Sequence, residues 1–196
     1  MQAGVPDTVP AMNVNRLCGS GVQAIVSVIQ SLTLGDAAFG LAGGAESMSR
    51  APYILPSARF GQKMGDVGAV DMMLGALNCP FGTGHMGVTA ENVAAEHDVT
   101  REQQDAFALE SQNRAAAAIE AGHFASQIAP VEVRVKRDMV PFEIDEHPKA
   151  TTMEALTGLR TVFQKDGTVT AGNASGINDG AGAVVLATAE AAEKAG

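Results

Sequence analysis

Tryptophan is absent, and only two cysteines and 13 basic side chains are spread over 196 residues. Each shortage excludes something. Cys18 and Cys79 stand far apart, with no CxxC pair and no Cys/His ligand spacing. That argues against a disulfide scaffold and against a zinc or other metal site, and fits a reducing, cytoplasmic compartment. Lys and Arg number 13 against 22 Asp and Glu, for a net charge of −9, and no basic run of five residues occurs. A phosphate backbone needs a concentrated basic face, so nucleic acid is not an expected partner. No apolar stretch approaches the ~20 residues that cross a bilayer. The N-terminal MQAGVPDTVP lacks the basic and apolar regions of a secretory signal. No membrane partner is therefore expected.

What is present describes a globular chain. Hydrophobic residues make up 46% and charged residues 18%, too apolar a balance for disorder. Three zones differ in composition, with no internal repeat and no low-complexity linker between them. Residues 1–49 are small and apolar, with almost no charge between Cys18 and Gly44. Residues 50–168 hold most of the Pro, Met, His and charge. Residues 169–196 return to small apolar character.

Periodicity places the elements. Pro10 to Asn15 reads as a short extended segment arriving at Cys18. Val22, Ile25, Val26, Ile29 and Leu32 then fall at helical spacing, predicting a helix from about Gly19 to Leu34 that Gly35 ends. Ala37 to Ala42 predicts a buried strand and Gly43-Gly44 a turn, so that strand, helix and strand suggest a mostly parallel sheet. Thr89 to Glu96 predicts a helix. Thr100 and Gln103 form a capping box that opens another helix, which Gly122 closes. Ile128 to Val135 and Gly180 to Ala187 predict strands, and Glu190 to Lys194 starts a last helix.

The segment Asn15-Arg-Leu-Cys-Gly-Ser-Gly21 carries the most chemistry. A cysteine at the turn into a helix N-terminus sits at the positive end of the helix dipole, which favours a thiolate. Gly19 and Gly21 clear side chains from its flanks and permit a sharp turn, an arrangement like a nucleophile elbow with sulfur in place of oxygen. The residues alone leave two readings of Cys18 open: an activated nucleophile, or a small buried packing residue. Other segments are equally double. Gly43 to Ser49 is a pocket wall or a plain turn. Arg59 to Asp66 reads as a solvated loop. Gly84 to Asn92 puts a histidine before a helix, where a capping role is as natural as a functional one. Gly172 to Gly180 (GNASGINDG) offers backbone donors to an amide-bearing ligand or is simply a tight loop; it lacks a P-loop ending.

The order NRLCGSG, GGAESMSR, KMGD, GHMGVTAENVA, GTVTAGNASGINDGA resembles that of the thiolases, closest to the biosynthetic acetoacetyl-CoA thiolases and bacterial β-ketothiolases, from about Val9 to the end of the chain. The resemblance implies an α/β thiolase fold of layered αβαβα type, here only part of the N-terminal core half plus the loop domain that covers coenzyme A. Residues 1–49 would be partial core, 50–168 the loop domain, and 169–196 a return to the core. It implies an acyl-CoA C-acyltransferase that forms or cleaves 3-ketoacyl-CoA. Cys18 matches the cysteine that takes the acyl group as a thioester. His85 and Met86 match positions lining the coenzyme A and acyl region. Ser175, with Ala174 and Gly176, matches the loop along the pantetheine arm, and Leu77 and Leu159 fall where apolar contacts to the coenzyme are expected. Coenzyme A and acyl-CoA enter as substrates, so no cofactor is expected. The full-length form is expected to be a cytoplasmic homotetramer.

Departures from the family pattern matter as well. The activating histidine in a GHP string, the acid/base cysteine in a CxGxG string, and the Asn-Glu string ahead of them are absent from this sequence. Cys79, in NCPFGTG, does not match the second catalytic cysteine. After His147-Pro148 only Lys149 stands where relatives place an arginine toward the coenzyme. The chain is therefore expected to be a fragment cut at both ends, exposing a sheet edge and an apolar face and unable to turn over alone. The alternative is a thiolase-like binding subunit without catalysis.

Overall fold

The computed structural model describes residues 3–196. In chain order the first elements are α1 (Ser20–Leu34), β1 (Phe39–Ser47), β2 (Tyr53–Ile54), β3 (Val70–Asp71), α2 (Met72–Leu77), β4 (Asn78–Cys79) and β5 (Gly84–His85). There follow α3 (Met86–Glu96), α4 (Arg101–Glu120), β6 (Val131–Val135), β7 (Asp138–Phe142), α5 (Met153–Thr157), β8 (Asp179–Ala187) and α6 (Ala189–Ala195). These form two compact units. One joins Met1–Ala51 to Asn178–Gly196, and the other is Pro52–Ile177. The stretch 169–177, grouped by composition with the last zone, thus lies within the second unit.

In the first unit β1 and β8 pair antiparallel along nine residues, from Phe39 opposite Ala187 to Ser47 opposite Asp179. The expected turn at Gly43-Gly44 does not exist. Both glycines lie mid-strand, opposite Ala183 and Gly182, because the ladder satisfies their backbone groups at each step. Nor is the sheet parallel: the described strands pair antiparallel in two-stranded sheets. Pro10–Asn15 forms no strand, so no crossover unit arises at α1.

Helix α1 ends as expected. Gly35 adopts φ 80°, and its N–H and that of Asp36 bond the Leu32 and Ser31 carbonyls, closing a Schellman-type cap. One side of α1 lies close on β1, where Val28 occupies the space a side chain at Gly40 would need. The other side, with Val22, Val26 and Ile29, is exposed. The helix is thus apolar on both sides, which revises the reading of chain hydropathy. Leu17–Leu34 spans 18 residues without charge, long and apolar enough by length and composition to cross a membrane. Its contact with β1 uses one side of that apolarity, although none of its residues is buried. On β1 and β8, the paired Leu41 and Val185 are exposed at 60% and 72%. The expected apolar face is there.

The second unit is built on α3, α4 and α5. Thr100 and Gln103 cap α4 reciprocally, at 3.3 and 2.9 Å, as the sequence predicts. Asp71 caps α2 by accepting from the Met73 N–H at 2.9 Å. β6 and β7 form a hairpin from Val131 opposite Phe142 to Val135 opposite Asp138. The buried apolar side chains of this unit, among the described residues, are Ala94, Leu156 and Val169.

Candidate active site

Cys18 is exposed in this chain. The turn that presents it is strained one residue earlier, at Leu17, whose φ is 50°. Gly19, with φ −84°, and Gly21 are not where the chain turns sharply. Side chains hold Leu17 in place. Its N–H donates to Asn15 Oδ1 at 2.9 Å, and its carbonyl accepts from Ser20 Oγ at 2.7 Å. The Arg16 N–H donates to the same Ser20 Oγ at 2.9 Å, while its guanidinium reaches Gln23 Oε1 at 2.9 Å. No side chain caps α1, leaving its first turn of N–H groups without that partner. Strain of this kind in a non-glycine residue clusters at functional sites.

The remaining predicted residues lie in the second unit. His85 ends β5 and caps α3: its Nδ1 accepts the Gly87 N–H at 3.0 Å. In the neutral ring the hydrogen then sits on Nε2, which is presented as a donor. Phe163 stacks on the ring with centroids 4.9 Å apart and planes 19° from parallel. Met86, the first residue of α3, is exposed. Leu77 closes α2 and is half-buried. Leu159 follows α5, and its side chain packs over Gly172. Ala174 and Gly176 are half-buried and Ser175 is exposed. The structure therefore brings Leu159 near the 172–176 loop and His85 against Phe163.

Sequence reasoning missed the groups that hold these segments. Glu91, 5% exposed, accepts the backbone N–H groups of Thr168 and Val169 at 2.8 Å each and the Thr168 hydroxyl at 2.9 Å. Burial pushes its carboxyl up, but those donors, Val169 first, outweigh it and hold the carboxyl below the ordinary value. Fully buried Asp105 accepts from Arg101 and Asn173. In the first unit, Asp179 accepts the Ser49 hydroxyl, the Ser49 N–H and the Ser47 hydroxyl, which lower its carboxyl in that order of donors. The i, i+4 spacing of Arg101 and Asp105 was a usable signal; the long-range partners left none. Cys79 sits at the end of β4, its thiol lowered first by the Thr83 hydroxyl and then by the Phe81 backbone.

The family model described as the N-terminal domain of thiolase matches residues 1–190. The chain belongs to the thiolase family. It is 57% identical to the beta-ketothiolase BktB of Cupriavidus necator, over all of this chain and 50% of that protein. Among solved structures, the acetyl-CoA acetyltransferase of Bacillus anthracis superposes with TM-score 0.93 at 45% identity, over 98% of this chain and 49% of the other. Human mitochondrial 3-ketoacyl-CoA thiolase in complex with CoA gives 0.91 at 46%, over 99% and 49%. The fold is that of the N-terminal half of thiolases, and the chain spans about half the length of the relatives it matches.

Proposed function

We propose that the protein to which this chain belongs is an acyl-CoA C-acyltransferase that forms or cleaves 3-ketoacyl-CoA through an acyl thioester on Cys18. The observation that carries this is the exposed Cys18 on a strained turn into an uncapped helix, in a chain matched by the thiolase family over nearly its full length. Relatives named acetyl-CoA acetyltransferase and beta-ketothiolase support the reaction class, and the human relative solved with CoA supports the substrate.

In cleavage, the Cys18 thiolate attacks the 3-keto carbon. The bond between the 2- and 3-carbons then breaks, its electron pair is protonated to give acetyl-CoA, and the shortened acyl group stays on sulfur. The thiol of coenzyme A takes that acyl group and returns Cys18 to its starting form. Splitting the carbon–carbon step through a covalent intermediate lowers the barrier to each half. In synthesis the steps reverse: one acetyl-CoA acylates Cys18 and the carbanion of a second attacks it. Ala174, Ser175, Gly176, Leu77 and Leu159 are the proposed coenzyme contacts. His85 offers Nε2–H to a carbonyl or amide of the acyl-pantetheine end beside Met86. The proton-handling histidine and cysteine are not among this chain's motifs, so the chain alone is proposed to be without turnover.

The test is to incubate the chain with acetyl-CoA and map acetylation by peptide mass spectrometry. Acetyl on Cys18 supports the nucleophile assignment; acetyl on other side chains and not on Cys18 overturns it. Thiolysis of acetoacetyl-CoA by the isolated chain would overturn the proposed lack of turnover.

A further inference from the structure

The loop 168–176 has a hidden anchor. Asp105 lies on α4 with no exposed surface. Its Oδ2 accepts Arg101 Nε at 2.7 Å, and its Oδ1 accepts Asn173 Nδ2 at 2.9 Å. Each partner reaches onward. Arg101 Nη2 donates to the carbonyl oxygens of Leu156, at 2.7 Å, and Leu159, at 3.1 Å. Asn173 accepts the Thr170 N–H at 2.8 Å and donates to the Thr168 carbonyl at 3.2 Å. One buried carboxylate on α4 thus fixes two later segments of the chain, 156–159 and 168–173. They meet directly at Gly172, where a side chain would run into Leu159 Cδ1 at 2.5 Å and Leu156 Cδ2 at 2.6 Å.

A fully buried carboxylate is costly unless it is paired and hydrogen-bonded. Apolar packing would hold α4 against α5 without that cost. What apolar packing does not supply is direction: a charged acceptor gripping one amide and one guanidinium sets the angle of both segments at once. The segments so fixed are those bearing Leu159 and Ala174–Gly176, and Asp105 itself reaches no surface.

We infer that Asp105, acting through Asn173 and Arg101, is a positioning residue that orders the 170–176 loop and the Leu159 turn into the form that takes the pantetheine arm of coenzyme A. This rests on the reading of Ala174, Ser175, Gly176 and Leu159 as coenzyme contacts.

The experiment uses the whole chain with Asp105→Asn and Asn173→Ala. The second removes only the loop arm and leaves the Arg101 pair intact, so it serves if the first does not fold. Residue-resolved amide hydrogen exchange is followed with and without coenzyme A, beside a coenzyme A titration. Exchange at 172–176 is expected to rise about tenfold or more while the β6–β7 hairpin keeps its protection, and the affinity for coenzyme A to fall by about tenfold. Unchanged exchange at 172–176 overturns the inference, as does an equal rise across the hairpin, which marks general destabilisation. Unchanged coenzyme A affinity in a variant whose loop has loosened also overturns it. If the unaltered chain binds no coenzyme A but the variants loosen the loop alone, the anchoring role stands and the coenzyme reading fails.

Discussion

Phe163 fills the space that a side chain at position 87 would occupy: the ring lies where the Cβ would go. The same ring stacks on His85, whose Nδ1 holds the Gly87 N–H. A methyl group at Gly87 must therefore push Phe163 away from His85. Gly87→Ala is expected to destabilise the chain by about 1–3 kcal/mol, the usual range for overpacking. Urea denaturation gives the loss. Combining it with Phe163→Ala should recover part of it, because the two changes share one contact. Additive losses would show that the ring is not the obstacle.

Glu91 makes a pH-dependent contribution whose sign follows from its bonds. Burial raises its carboxyl, the Val169 and Thr168 donors lower it further, and the net position is below the ordinary 4.5. A carboxyl depressed on folding stabilises the fold above its unfolded value, and that stabilisation is lost as pH falls through the folded value. The urea midpoint should therefore fall as the solution is acidified below about 4.5. Glu91→Gln should cost about 1–3 kcal/mol at neutral pH, since an amide N–H then faces donors. It should also flatten the acid limb. An acid limb of unchanged slope in the variant would assign it to other carboxylates.

The capping box of α4 admits a simpler test. Thr100→Ala removes the acceptor for the Gln103 N–H, and Gln103→Ala removes the acceptor for the Thr100 N–H. Each should cost about 0.5–2 kcal/mol. Because the two bonds close one box, the double variant should lose less than the sum of the single losses. Thermal unfolding of the three variants decides between a coupled box and two independent bonds.

What the sequence disclosed was local chemistry. Gly35 and the Thr100–Gln103 box were readable because a few adjacent residues decide those ends. Gly43-Gly44 misled for the opposite reason. A glycine pair suits a turn, yet pairing with Gly182 and Ala183 more than 130 positions away overrides that preference. The strand Asp138–Phe142 carries Pro141, a residue that weakens any strand signal; it stands in a two-stranded ladder, where one side of each strand is an edge that needs no ladder donor. At the site, Cys18 announced itself through its glycines, but the residue that bends the chain is Leu17, an unremarkable leucine in the string. Beyond the Arg101–Asp105 spacing there was no pattern to read, since Glu91 meets Thr168 and Val169 across 77 and 78 positions and Asn173 meets Asp105 across 68.

Leu17 supplies the last prediction, because it separates strain from stability. A leucine held at φ 50° stores about 1–2 kcal/mol that glycine would not. Leu17→Gly releases that strain, but glycine also loses about 0.5–1 kcal/mol more on folding through its freer unfolded chain. The two effects oppose, so the unfolding free energy should shift by no more than about 1 kcal/mol. The presentation of Cys18 should suffer more, since a glycine need not hold the one conformation that Asn15 and Ser20 grip. The rate of Cys18 alkylation by iodoacetamide, mapped by peptide mass so that Cys79 serves as the internal standard, should fall while the Cys79 rate stays the same. Equal Cys18 rates in the two proteins would show that the strained turn does not tune the thiol, and that the exposed start of α1 alone accounts for its reactivity.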